Sequence, residues 1–206
     1  MESVVLRSRR PWNKGILVGQ KRPLQPRNVW SIRVRLEMSG ATRELALFNL
    51  AIDSKLRACD LVRLRIEDLW SGASIRDRAT IIQKKTRRPV QFEVTEQTKT
   101  ALAAWLPFVR RNGGSYLFPS RRQTSQHIST RQYARIVHRW VASIGLESSA
   151  YGTHSMRRTK AAQIYKNTGN LRAVQILLGH TKLESTVRYL GVEVDDALRI
   201  AEQIEL

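Results

Sequence analysis

Residues 152–159 read Gly152-Thr153-His154-Ser155-Met156-Arg157-Arg158-Thr159, with His154 and Arg157 three apart at the start of a stretch that fits a helix over 154–167. Two further segments follow, Leu177-Leu178-Gly179-His180-Thr181 and Ser185-Thr186-Val187-Arg188-Tyr189-Leu190. Two imidazoles, a guanidinium and a phenol therefore fall within 36 residues. Arginine offers a planar fork of donors that matches phosphate oxygens. Histidine titrates near neutrality and moves protons. A tyrosine phenol can attack phosphorus and form a covalent ester. These are the groups that phosphate chemistry needs.

Working outward, hydrophobic period assigns the remaining elements. Leu45, Phe48, Ile52 and Leu56 recur at helical spacing, so residues 41–56 are predicted to be a helix, and a shorter one follows at 60–64. Residues 78–83 and 89–94 are strand-like, with Val90, Phe92 and Val94 on one face and Lys84-Lys85-Thr86-Arg87-Arg88 as the hairpin tip. Thr95 can cap a helix running to about Arg111, with Ala101, Leu102, Trp105 and Val109 inward. Another opens at Ser129 or Thr130 and stops at Gly145, with Tyr133, Ile136, Val137 and Trp140 inward. Helices also fit 170–178, 184–190 and 194–205. The expected fold is mainly α with one small antiparallel β-sheet.

The net charge is +19 and the pI about 11.2, far beyond what solubility requires, so nucleic acid is the expected partner. The charge is uneven: +7 over residues 1–40, +16 over 41–190 and −4 over 191–206. Pro11, Pro23 and Pro26 interleaved with seven bases make residues 1–28 a basic, extended arm. The acidic end, with Val194, Leu198, Ala201 and Ile204 on one stripe, is an amphipathic helix suited to basic protein surface. The single Cys59 allows no intrachain disulfide and reads as a small buried hydrophobe. No apolar run approaches the roughly 20 residues that span a bilayer. A soluble, cytoplasmic, nucleoid-associated protein is expected.

Breaking a phosphodiester without metal requires neutralising the phosphorane, protonating the leaving alkoxide and supplying a nucleophile. Arg157 is half of an arginine clamp, and Leu56-Arg57-Ala58-Cys59-Asp60-Leu61 offers the other half at a helix–helix elbow. No group of carboxylates or histidines has metal-ligand spacing, which argues against a metal nuclease; no metal or cofactor is expected.

With these segments in place, residues 41–191 resemble the tyrosine recombinases of the phage integrase family. The Arg57 segment resembles the first arginine box, His154-Ser155-Met156-Arg157 the second, Leu178-Gly179-His180 the second-histidine segment, and Tyr189 follows nine residues later at the nucleophile's interval. Lys85-Thr86 on the hairpin tip resembles the mobile catalytic lysine, with Lys84 as the adjacent alternative. The resemblance implies that Arg57 and Arg157 bind the scissile phosphate and that His154 acts as base toward Tyr189 or holds it in place. It further implies that His180 hydrogen-bonds the phosphate, that Lys85 protonates the leaving 5′ oxygen, and that Tyr189 becomes a 3′-phosphotyrosine. Asp60 matches the acidic residue that buttresses the arginine. Lys160, Lys182 and Arg188 read as DNA-backbone or surface charges.

The resemblance divides the chain into the arm (1–28), a catalytic domain (29–191) and the C-terminal acidic helix (192–206). Only about 40 residues precede the first expected helix, so the chain resembles the short members that lack the family's helical core-binding domain. The implied partners are double-stranded DNA and three further copies of the chain on two DNA sites, with room for an accessory DNA-bending protein. Two other readings share the residues: a type IB topoisomerase-like nicking and rejoining enzyme, and a catalytically idle DNA-binding regulator.

Overall fold

A computed structural model describes residues 20–72, 74–111, 113–120 and 126–191, with Leu198 and Glu202. Residues 1–19 and the body of the acidic helix expected at 194–205 lie outside the described residues.

Helix α1 (Pro26–Met38) lies where the sequence pattern predicts the end of an extended arm. Pro26 does not break this helix. It occupies the first turn, where a missing N–H is harmless and the fixed φ favours helix entry. Val29, Ile32 and Leu36 then turn into the core, each contributing roughly 1.5–3 kcal/mol by burial. Leu24 is buried in the same core, so only residues 20–23 and 25 of the described part retain the character of an arm.

Helix α2 (Thr42–Ser54) is the centre of the molecule: every residue from Ala46 to Ser54 is buried. That burial includes Asn49 and Asp53, polar groups that must find partners inside. Arg33 Nε donates to Asn49 Oδ1 at 2.8 Å. The helix ends at Lys55, a non-glycine residue in the left-handed region (φ 53°). Two short helices follow, α3 (Ala58–Leu61) and α4 (Ile66–Leu69).

The expected single sheet is two separate two-stranded antiparallel ribbons. In the first, β1 (Trp70–Ser71) pairs with β2 (Ser74–Ile75). In the second, β3 (Arg78–Ile82) pairs with β4 (Pro89–Glu93), setting Ile81 opposite Val90 and Arg78 opposite Glu93. The short ribbon carries no alternating pattern long enough to read in the sequence.

Helix α5 (Glu96–Arg111) and α6 (Thr130–Ser143) bury the predicted faces, apart from a half-buried Trp105. The Ser129 hydroxyl caps α6 by accepting from Gln132 N at 3.1 Å. Helix α7 (Thr153–Thr168) packs on α2, and α8 (Leu171–Leu178) and α9 (Leu183–Leu190) fold back against it. These last two helices rest on a small satellite core of Ala161, Val174 and Leu178, which Ile164, Tyr165, Tyr189 and Leu190 partly cover.

Lys160 corrects the sequence reading. It does not project to DNA or solvent alone. Its ammonium lies 2.6 Å from Asp53 Oδ1 and 2.7 Å from Glu93 Oε1, while buried Lys55 meets the same Glu93 at 2.8 Å. Four charges from α2, its C-cap, β4 and α7 thus form a closed network. Among the described residues, no helix is long and apolar enough to cross a membrane.

Candidate active site

The segments singled out in the sequence converge where the N-cap of α3, the β3–β4 tip, the start of α7, the end of α8 and helix α9 meet. Arg57 is the α3 N-cap residue, extended at φ −66° and ψ 150°, which turns its side chain out of the helix line. Its Nη1 donates to Gln83 Oε1 at 2.7 Å. Arg157 is only 2% exposed. Its Nη2 donates to the Leu178 carbonyl at 2.6 Å and lies 3.5 Å from His180 Nε2. Its Nη1 is buried with no hydrogen-bond partner among the described residues.

His180 follows Gly179, the left-handed C-cap of α8. Its Nδ1 is 3.1 Å from Thr186 Oγ1, so α9 fixes the ring from the far side. Tyr189 stands edge-on to His180, with ring centroids 5.4 Å apart and planes at 85°. The guanidinium carbons of Arg157 and Arg158 lie 5.8 and 5.3 Å from the Tyr189 ring centroid, which places cations on the electron-rich ring. The phenol hydroxyl points to the His154 carbonyl at 3.5 Å, a long contact. Arg158 also donates to the carbonyls of Lys21 (2.9 Å) and Leu190 (3.4 Å), tying the chain before α1 to the end of α9.

The electrostatics follow from this crowding. Burial, and then the charges of Arg157 and Arg57, lower the His180 pKa to about 4. Partial desolvation, and then Arg157, Arg158, Arg57 and Lys85, lower that of His154. Both imidazoles are therefore neutral near pH 7 in the free protein. Burial raises the Tyr189 phenol to about 12, although the neighbouring arginines pull it back. Burial also lowers Arg157 to about 10. A phenol so protonated needs a proton acceptor before it can act as a nucleophile.

Lys85 is exposed at the hairpin tip. Its charge is among those that lower the His154 pKa. Lys84 donates its backbone N–H to Asp60 Oδ1 at 2.8 Å. Buried Asp60 thus anchors the hairpin tip directly and acts on Arg157 through its charge, while Oδ2 keeps no hydrogen-bond partner among the described residues. Cys59, partly buried beside Asp60, has its thiol pushed up by burial first and by that carboxylate second, so it is not an activated nucleophile. Gln83 is the neighbour of Arg57 that sequence reasoning missed, because a lone neutral amide beside a lysine-rich tip carries no local signal.

The fold and this set of groups define a class, the tyrosine recombinase catalytic domain. Its structural neighbours include the XerA recombinase, with a TM-score of 0.72 at 19% identity over 91% of this chain and 66% of that one. A lambda integrase dimer bound to a core site gives 0.62 at 19% identity, over 89% of this chain and 50% of that one. In sequence, a match to the phage integrase family spans residues 24–195, and the chain belongs to that family of tyrosine-type site-specific recombinases. It is 30% identical over 162 residues to the probable integrase/recombinase YoeC of Bacillus subtilis (strain 168), covering 79% of this chain and 84% of YoeC. It is also 30% identical over 165 residues to tyrosine recombinase XerC of Neisseria gonorrhoeae, covering 79% of this chain but 52% of that protein. The chain therefore spans about half the length of the XerC relative.

Proposed function

We propose that this chain cuts and rejoins double-stranded DNA at specific sites through a 3′-phosphotyrosine intermediate. The observation that carries the reading is a phenol flanked by the Arg157 and Arg158 guanidiniums and the neutral His180 imidazole, with Arg157 Nη1 buried and without a hydrogen-bond partner among the described residues. A buried donor without an acceptor is costly, and an anionic phosphate oxygen would satisfy it.

In this mechanism Arg57 and Arg157 bind the nonbridging oxygens and stabilise the phosphorane. The Tyr189 oxygen forms a bond to phosphorus as the bond to the 5′ oxygen breaks. Neutral His154 accepts the phenolic proton, and Lys85 delivers a proton to the departing 5′ oxygen. His180 hydrogen-bonds the phosphate, and Asp60 holds the hairpin tip and steadies Arg157. The ester conserves the bond energy, so a 5′ hydroxyl from a second strand can reverse the step. Four copies on two DNA sites would permit that exchange, with an accessory DNA-bending protein as a further partner. DNA association would place the protein at the nucleoid.

The test uses a nicked, site-containing duplex taken from the flanking DNA of the gene, which traps the ester when the short strand diffuses away. An adduct resistant to denaturant is expected with the wild type and none with Tyr189→Phe, at nearly equal DNA affinity. An undiminished adduct in Tyr189→Phe removes the nucleophile assignment. Supercoil relaxation without recombinant products favours the topoisomerase-like reading, and binding without any adduct favours the idle regulator.

A further inference from the structure

Gln83 lies just past β3, 1% exposed, at the root of the hairpin tip. Its Oε1 accepts from Arg57 Nη1 at 2.7 Å and from Thr86 Oγ1 at 2.8 Å. A guanidinium can only donate, so Arg57 fixes which end of the amide is oxygen. The other end, Nε2, donates to the Leu178 carbonyl at 3.5 Å. That same carbonyl accepts from Arg157 Nη2 at 2.6 Å. A path therefore runs from Arg57 through the Gln83 amide and, across one long contact, the Leu178 carbonyl to Arg157, with the hairpin threonine hung on it.

The residue after Leu178 makes room for this path. A Cβ on Gly179 would stand 3.1 Å from Gln83 Nε2 and 3.2 Å from Oε1, and Gly179 sits at φ +62°. Glycine both permits the turn and lets the amide lie against the end of α8. His180 follows directly, so the amide is packed beside the segment that carries the second imidazole.

We propose that Gln83 is a positioning residue that sets the spacing of the two arginines and links it to the placement of the hairpin bearing Lys85. This rests on the clamp reading of Arg57 and Arg157 given above. The residue type follows from the charge balance. A carboxylate at position 83 would also hold Arg57, but it would neutralise the cation and compete with the phosphate. An amide oxygen orients the guanidinium and leaves its charge available. Gln83 contacts no reacting atom and acts through Arg57 and through the Leu178 carbonyl.

Gln83→Met keeps the length of the side chain and removes both hydrogen-bonding ends; Gln83→Glu keeps the acceptor and adds a charge. With the nicked duplex, single-turnover adduct formation should fall about 10–100-fold in Gln83→Met while DNA affinity changes less than about twofold, the pattern of a misplaced group. Gln83→Glu should lower both the rate and the affinity. In an Arg57→Ala background, Gln83→Met should cost less than about threefold more, because the larger part of its effect passes through Arg57 and only the long Leu178 link remains. Equal losses in both backgrounds would mean a general packing defect and would overturn the proposal.

A second measurement does not depend on cleavage. In the free protein labelled with 15N-arginine, slowly exchanging guanidinium signals are expected for Arg57 and Arg157. Gln83→Met should release the first and shift the second; Gln83→Glu, which sets a carboxylate against Arg57 and removes the donor to Leu178, should shift both and serves if the Met variant does not fold. Arg157 signals unmoved in the folded variants would overturn the link. A wild type that forms no adduct would instead remove the cleavage reading and leave the arginine coupling to be decided by these signals.

Discussion

Helix α7 carries two charge clusters three residues apart, and they are built on opposite plans. Around Lys160, two cations meet two carboxylates: Lys160 and Lys55 share Glu93, and Lys160 also meets Asp53. Thr95 and Thr98 hydroxyls add further bonds to Asp53 Oδ2, at 2.7 and 2.6 Å. Around Arg157, the charged neighbours are other cations, and Asp60 is the carboxylate that acts on it. The first cluster is closed and needs nothing from outside. The second keeps buried capacity for an anion, since Arg157 Nη1 is unpartnered among the described residues. Arginine and lysine on one helix therefore divide into a strut and a receptor, and the partners decide which is which, not the residue type.

The sharpest way to break this contrast is at the receptor. Arg57→Lys or Arg157→Lys should slow adduct formation by about 10² to 10³, because a point charge cannot reproduce the two-pronged geometry. Near-normal cleavage by either variant would mean that no clamp exists. At the strut, Asp53→Ala should cost stability and not chemistry. About 3 kcal/mol is expected, the lower end for a broken buried pair, since Lys160 and Glu93 keep some solvent contact. Urea unfolding measures it, and a loss below about 1 kcal/mol would show that the network is not a strut.

Acid should separate the two clusters by window. The His180 pKa is lowered from 6.5 to about 4, so the unfolded chain takes the proton first and stability falls as pH drops from 6.5 toward 4. Bound phosphate opposes that change by favouring the imidazolium. Burial alone would raise Asp53, but hydrogen bonds from Lys160, Thr98 and Thr95 hold it below its ordinary value of 3.8. Its contribution is therefore present above 3.8 and is lost as pH falls through the depressed value. Thermal melts of the wild type and His180→Asn should diverge only in the upper window. The smallest effect concerns the arm. Removing residues 1–19, which hold four bases, should flatten the log–log salt dependence of DNA binding by about 0.9 for each phosphate that the arm neutralises. An unchanged slope would mean that the arm neutralises none.

The receptor is legible in the sequence and the strut is not, for a physical reason. Arg57, His154, Arg157, His180 and Tyr189 each sit in a short local pattern, and periodicity places α2 and α5 to α9 around them within a few residues. Asp53, Lys55, Glu93 and Lys160 lie on four segments, and only packing reveals that they meet. Seen in sequence alone, Lys160 is one more base in a basic chain. Helix α1 is hidden by its own start signal: Pro26 and the surrounding charges look like a linker, although Val29, Ile32 and Leu36 keep helical spacing. Gln83 has no pattern to betray it.

Helix α9 rests on the satellite core of three fully buried residues, apart from the main body around α2. A smaller buried apolar core means a lower local opening free energy. Local opening of α8 and α9 is therefore expected to precede loss of the main body, and Tyr189 lies on the part that opens first. On the proposed mechanism the protein would be disarmed before it is unfolded: on warming, the proposed nucleophile would drift out of register while the ellipticity of the remaining helices still reports an intact molecule.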